Sequence, residues 1–227
     1  MTNDTTSPLS PTARTTVRRH ADRAQTDRDA LFAVLGDAFV CHLGVLADGV
    51  PLVLPTAYGV DRDGPDAGGT LYLHGSVASH SLLSAPGQEI SVTVTVVDGL
   101  VLARSAFNHS MNYRSAVVVG RPRVVTDPEE VRHALARVVD QVVPGRSETL
   151  RSHTRKELAA TRVLALPLLE ASVKARAGGP VDDEADVASG GWAGVVPVRT
   201  TLDAPVTAAD ADDADVPDDV LRRVSAK

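Results

Sequence analysis

Cysteine and aromatic residues are scarce in this chain of 227 residues: one Cys, one Trp, three Tyr and three Phe. With Cys41 alone there is no intramolecular disulfide, and a zinc site built on thiolates is disfavoured. Its place in an apolar stretch reads as a small buried hydrophobe. Long apolar runs are also missing. Nothing approaches the ~20 residues that span a bilayer, and the polar first residues lack the apolar centre of a secretory signal, so a cytoplasmic protein without a membrane partner is expected. No Gly-x-Gly-x-x-Gly opens a helix, which disfavours a doubly wound nucleotide fold. No Gly-x-Ser-x-Gly elbow or Cys–His pairing supports nucleophilic hydrolysis. A net charge of -6 and the absence of a basic run with interleaved aromatics argue against nucleic acid. His74 and His80 lack both helical i, i+4 spacing and a nearby carboxylate, so no metal site is expected.

What is present divides into three parts. Residues 1–25 are rich in Thr, Ser, Arg and Asp without apolar periodicity, and 201–227 form an acidic tail, with seven Asp between 203 and 219. Both compositions bury too little apolar surface to order themselves. Between them, 26–200 suits one domain. A helix is predicted from Asp27 to Gly36 behind Thr26, then strands at 39–46 and 50–60 joined by the Asp48-Gly49 turn, and a strand at 70–74. Ile90-Ser91-Val92-Thr93-Val94-Thr95-Val96 alternates strictly, placing one face on a core and the other on solvent or a ligand. Strands follow at 100–103 and 113–125. Thr126 and Glu129 spell a capping box for a helix with Val131, Ala134, Leu135, Val138 and Val142 on one stripe. A short helix at 156–161, a strand at 162–173 interrupted by Pro167 and a last strand at 194–198 complete the reading. Short antiparallel strands with flanking helices indicate a mainly β protein, a barrel with peripheral helices.

The polar chemistry gathers in four places. Between two apolar runs, Arg104, Ser105, Asn108, His109, Ser110, Asn112, Tyr113, Arg114 and Ser115 bring guanidiniums, hydroxyls and amides together, groups that grip an anion or a polar ring edge. His74-Gly75-Ser76 through Ser79-His80-Ser81 runs from strand through turn to helix start and offers N–H and hydroxyl groups to a phosphate. Capping by serines explains that segment equally well. Pro55, Thr56 and Tyr58 lie where an edge strand would carry prolines or face a planar ligand. Lys174 and Arg176 share one face of a strand, as surface charge or as a second cationic pair.

Taken in order, these motifs resemble the pyridoxamine 5'-phosphate oxidase-like split-barrel flavoproteins, in the branch related to nitroimidazole reductases. The set is Asp-Gly-x-Pro, Pro-Thr-x-Tyr, Leu-Tyr-Leu-His-Gly-Ser, Asp-Gly-Leu-Val-Leu-Ala-Arg-Ser, His-Ser-Met-Asn-Tyr-Arg-Ser, Ser-x-Lys-x-Arg and Trp-Ala-Gly-Val-Val-Pro. The resemblance implies a six-stranded antiparallel split β-barrel of the FMN-binding type, a homodimer with FMN at the interface. It places Pro55, Thr56 and Tyr58 along the ring and ribityl chain, and His74, Gly75, Ser76, Ser79 and His80 around the phosphate. Asn112, Tyr113, Arg114 and Ser115 approach from the interface, while Lys174, Arg176 and Trp192 close the substrate side. It also implies an oxidoreductase acting on a small planar substrate, of which a nitroaromatic is one example, with NAD(P)H as donor, and His74 and Tyr113 as candidate proton donors. A flavin binder or sensor without turnover is the alternative. So is the same scaffold with a deazaflavin, or with haem held by His42, His74 or His109. The acidic C-terminal end departs from the basic, His-containing end of true pyridoxamine phosphate oxidases, which counts against vitamin B6 oxidation.

Overall fold

Period-two alternation from Ile90 onward builds the longest strand of the computed structural model, whose described residues are 8–9, 12–211 and 215–225. The expected N-terminal segment and acidic tail therefore fall partly outside the described residues. Among the described residues, eleven strand segments form two antiparallel sheets. The larger contains β1 (Ala24–Gln25), β2 (Cys41–Ala47), β3 (Val50–Thr56), β6 (Ile90–Leu102), β7 (Ser110–Gly120), β10 (Ala171–Arg176) and β11 (Gly194–Pro197). The smaller contains β4 (Tyr58–Asp61), β5 (Thr70–Ser76), β8 (Arg123–Val124) and β9 (Thr161–Pro167). The order is β1-β10-β7-β6-β2-β3 in the first, with β11 on the free end of β6, and β4-β5-β9-β8 in the second.

The two sheets are one split barrel of six long strands. Three of these strands pass from the larger sheet to the smaller, or back, at short breaks: Ala57 between β3 and β4, Arg121-Pro122 between β7 and β8, and 168–170 between β9 and β10. The stretch expected as one strand at 50–60 is thus two segments in different sheets, and so is 162–173. Conversely, 90–96 and 100–103 are one strand, with a bulge at Val97/Gly99 that re-aims its second half.

The barrel interior is filled from both sheets. Cys41, Leu43, Val45, Val92, Val94, Ala116, Val118 and Val173 meet Tyr58, Leu71, Leu73, Leu164 and Leu166, and α1 (Arg28–Asp37) closes one end with Leu31, Val34 and Leu35. Cys41 is fully buried there, and desolvation pushes its thiol up to about 12. A second core lies outside the smaller sheet, where α3 (Pro128–Val142) sets Ala134 and Leu135 against Tyr72, Val125, Val163 and Ala165.

The helix starts differ slightly from expectation. Asp127, not Thr126, caps α3, accepting from the Glu130 amide at 2.8 Å with Pro128 in the first turn. Proline lacks an N–H and its φ already suits a first helical position, which moves the cap one residue on. The Thr154–Glu157 capping box starts α4 (Arg155–Ala160), and α2 (His80–Ser84) is a single short turn. Within 201–227, Asp218–Ser225 forms a helix whose Arg223 Nε donates to the Val142 carbonyl at 2.9 Å, with its guanidinium over the Phe39 ring. Near the other end, Arg14 pairs with Glu89 and Glu170.

Gly59 sits flush under α3. A Cβ there would stand 2.6 Å from backbone atoms of Arg137 and Val138, which cannot swing aside. Gly59→Ala is expected to lower stability by about 1–3 kcal/mol through overpacking. Gly36→Ala, exposed in α1 with nothing within 4 Å of the added carbon, is expected to raise it by about 0.5–1 kcal/mol. Thermal or denaturant unfolding of the two variants checks both signs.

Candidate functional site

Alternation gives the larger sheet a second face. Opposite buried Cys41, Val94, Ala116 and Val173 stand His42, Ser91, Thr93, Thr95, Ser115, Val117 and Lys174, all half-buried or exposed. The register aligns them across strands: Pro55, His42, Thr93, Val117 and Ser172 form one row, and Thr95, Ser115 and Lys174 the next. At one end this face is apolar, with a shallow hollow of about 400 Å³ lined by Leu46, Pro51, Val53 and Val119 beside Gly44 and Ser91. Gly44 leaves room there for the Ser91 hydroxyl, which a Cβ at 44 would meet at 2.6 Å and turn aside. At the other end Leu100, Met111 and Val196 stand exposed in one cross-strand row. Hydroxyls and an imidazole flanked by apolar ground can bond the polar edge of a flat ring while its faces stay dry.

The residues expected at the site fall into two groups. Asn112, Tyr113, Arg114 and Ser115 on β7 lie beside Lys174 and Arg176 on β10: Ser115 is opposite Lys174, and Tyr113 opposite Arg176. Their polar ends are largely occupied within the chain. Arg114 makes a two-pronged contact with Asp98, at 2.8 and 2.9 Å, and also pairs with Asp37. Arg176 bonds Asn112 and the Gly178 and Gly179 carbonyls, Asn112 donates to Gly178, and Lys174 Nζ donates to the Arg19 carbonyl at 2.9 Å. Arg104 likewise clamps the 182–191 loop through Asp182 and the Gly191 carbonyl. Trp192 lies exposed beside β11.

The second group, His74, Gly75 and Ser76, ends β5 in the smaller sheet, so one chain does not bring it onto the face that carries Ser115 and Lys174. Ser79 and Ser81 share a hydrogen bond at 3.2 Å, and His80 turns to Asp48 at 3.3 Å. His74 Nδ1 and Arg162 Nε, on neighbouring registers of β5 and β9, are buried without a protein partner. Pro55 is exposed and Thr56 half-buried at the end of β3.

Tyr58 requires a correction. Expected along the flavin ring, it is fully buried, and its hydroxyl donates to the Leu35 and Ala38 carbonyls that end α1. A phenol so enclosed belongs to the core.

Thr93 and Thr95 were expected only as a face turned to solvent or a ligand, and His42 only as a candidate haem ligand, none of them among the flavin contacts. The alternation announced the hydroxyl face, but only the register puts His42 and Pro55 beside it. Among the described residues no group of three or more His, Cys, Asp or Glu is placed to hold a metal ion. Nor is any helix there long and apolar enough to cross a membrane.

A split barrel with an open, hydroxyl-lined sheet face defines the class. The family profile described as pyridoxamine 5'-phosphate oxidase matches residues 27–175, and the chain belongs to that family. Its structure is similar to the flavocytochrome Anf3 from Azotobacter vinelandii, with 37% identity, TM-score 0.86 and coverage of 95% of this chain and 98% of that one. It is also similar to the FAD and heme binding protein from Mycobacterium smegmatis, with 38% identity, TM-score 0.81 and coverage of 89% and 97%. A putative 5-nitroimidazole antibiotic resistance protein from Bacteroides thetaiotaomicron shares the fold at 22% identity and TM-score 0.53, covering 66% of this chain and 85% of that one. No curated protein matches.

Burial lowers the His74 pKa below its ordinary 6.5. The unfolded chain then takes up a proton before the native one does. Stability is undiminished above pH 6.5 and falls as pH drops below it, until the native imidazole protonates. His74→Gln removes this term. The difference in unfolding free energy between about pH 7.5 and about pH 5.5 is expected to shrink in the variant, as read by urea denaturation.

Proposed function

We propose that this chain is a flavin-binding redox protein that works as a homodimer, with the flavin lying on the outer face of the larger sheet. The observation that carries the reading is that face itself: His42, Thr93 and Thr95 present polar groups between two apolar ends that none of the described residues covers, beside Ser115 and Lys174, which bond the Lys174 and Arg19 carbonyls. These residues fit a flavin. Hydroxyl and N–H donors suit the polar edge of the ring, and the apolar ends suit its faces and a second subunit. His74, Ser76, Ser79 and Arg162, in the smaller sheet and the turn beyond it, would then reach the phosphate across the dimer, where the two buried, unpartnered nitrogens gain an acceptor.

FMN is what the family resemblance implies. FAD is the form we favour, because the Mycobacterium smegmatis relative, at 38% identity over 89% of this chain, is described as binding it. The flavin supplies hydride and single-electron chemistry. The protein holds the ring, limits access of water to it and sets the electrostatics around it. The reaction we propose is electron transfer from a donor such as NAD(P)H to a small planar acceptor. Tyr113 and His74 are the groups to test as proton donors, and the lowered pKa of His74 weighs against it in that role. Two relatives described as a flavocytochrome and as binding FAD and heme support a second reading, in which the same chain also carries a haem.

Protein purified after expression with flavin supply is expected to be yellow, to release FAD or FMN on denaturation as identified by mass spectrometry, and to sediment at twice 23.8 kDa. Val53→Glu, on the exposed outer face, is expected to give monomers and to lose flavin with them. Colourless wild-type protein that ignores added FMN and FAD would refute the reading.

A further inference from the structure

One edge of the larger sheet is basic. Its last strands are β10 and β1, at the opposite end of the strand order from β3 and the apolar hollow. Lys174 and Arg176 lie on β10, and Ala24 of β1 pairs with Lys174. The chain arrives there through Arg18, Arg19, a left-handed residue at His20 (φ 53°) and the helical turn Ala21–Arg23. This approach is anchored along its length. Before it, Arg14 pairs with Glu89 and Glu170. Within it, Lys174 Nζ donates to the Arg19 carbonyl at 2.9 Å and the Arg23 amide to the His20 carbonyl at 3.0 Å. After it comes the ladder between β1 and β10.

Five cations therefore share one fixed rim. Arg18 and Arg19 are exposed, while Arg23, Lys174 and Arg176 are half-buried. Lys174 and Arg176 give their donors to carbonyls and to the Asn112 amide oxygen, neutral acceptors that leave the positive charge whole. Among the described residues none of the five pairs with a carboxylate, whereas Arg14, Arg104 and Arg114 each do. Asp22, exposed beside them, is the one acid between 18 and 25. The rim is thus positive on a chain whose net charge is -6. Such a patch draws an acidic partner and fixes its orientation, because the remaining surface repels it.

We propose that this rim is the docking site of an acidic one-electron carrier protein that reduces the flavin. Lys174 shares a row with Ser115 and Thr95 on the outer face assigned to the flavin. Thr95 lies two strand spacings from Lys174, about 10 Å, so a carrier seated on the rim stands beside the ring. A dinucleotide donor is gripped in a concavity. Long side chains along an exposed sheet edge suit the broad surface of a protein instead. The docking stands on the charge pattern; the electron transfer rests on the flavin reading above. Each encounter moves one electron and leaves the carrier oxidised by one. Two encounters, with two protons from water, complete a two-electron reduction of the flavin.

The test measures binding of the full-length flavin-loaded protein to a plant-type iron–sulfur ferredoxin, a strongly acidic carrier, by biolayer interferometry. Affinity for the wild type is expected to fall at least about tenfold between about 20 mM and about 300 mM NaCl, as screening shortens. Arg18→Glu/Arg19→Glu is expected to bind at least about tenfold more weakly at low salt, and Arg18→Lys/Arg19→Lys as the wild type does. Arg155→Glu/Lys156→Glu makes the same change of charge on exposed α4 residues and is expected to keep binding within about twofold of the wild type. Flavin reduction by reduced ferredoxin is expected to fall in step with binding, while reduction by dithionite at high salt is unchanged. Far-UV circular dichroism and retained flavin establish that each variant is folded. No salt-dependent binding by the wild type overturns the proposal. An equal loss in the α4 variant shows a response to net charge alone and also overturns it. So does unchanged ferredoxin binding in Arg18→Glu/Arg19→Glu with KM raised for NADPH but not for NADH, which makes the rim a nucleotide-phosphate subsite. Ferredoxin binding of the expected pattern by a chain that takes up no flavin supports the docking site and overturns the flavin reading instead.

Discussion

Backbone groups at the places where strands change sheets are the constraint on which the rest of this molecule depends. A strand that leaves one ladder and enters another exposes amides and carbonyls in the middle of a core, where each must find a partner. At the crossing around residue 57, the Tyr58 hydroxyl and the Gln141 amide converge on the Leu35 and Ala38 carbonyls at the end of α1. Helix end, crossing strand and α3 are thereby joined at one point. At the crossing after β9, buried Arg28 donates to the Leu168 and Leu169 carbonyls at 3.0 and 3.1 Å. Bonds from a charged donor are stronger than neutral ones, and an arginine with two carbonyls to satisfy is fixed in place.

With those crossings secured, the barrel interior is fully committed to packing, and chemistry is left to the outside of the larger sheet. The guanidiniums of the polar segment illustrate the division of labour. Arg104, Arg114 and Arg176 are the residues that most suggest anion binding in the sequence, yet each is engaged by carboxylates, carbonyls or an amide of its own chain. Partly exposed ion pairs of this kind add little net stability. Their effect is to fix shape: Arg114 ties β7 to Asp98 at the β6 bulge and to the end of α1, and Arg104 holds the loop that carries Trp192.

The fold was largely legible from sequence because its signals are local. The hydroxyl alternation at 90–96, the Asp48-Gly49 turn and the apolar stripe of α3 each follow from residues within one element. The strand breaks at Ala57 and after Pro167 were less visible, since nothing about Leu54-Pro55-Thr56-Ala57-Tyr58 announces that its two halves join different sheets. The site was legible by residue type rather than by place. Lys174 and Arg176 do alternate along one strand, β10, as periodicity suggested, but only the register shows them opposite Ser115 and Tyr113. Tyr58 looked like a ligand contact because it follows the Pro-Thr pair, but its side chain points into the barrel. In the sequence His42 reads only as a candidate haem ligand, because its place in the hydroxyl row comes from cross-strand neighbours about fifty or more residues away, at 93 and 117, which only register reveals.

Cys41, the single thiol in the chain, lies on β2 between β6 and β3, with no exposed surface. A thiol reagent reaches it only after β2 parts from the barrel, so the rate of its labelling counts how often the closed structure breathes open. Evolution has left the molecule with one internal clock, wound by the same packing that keeps the outer face in shape.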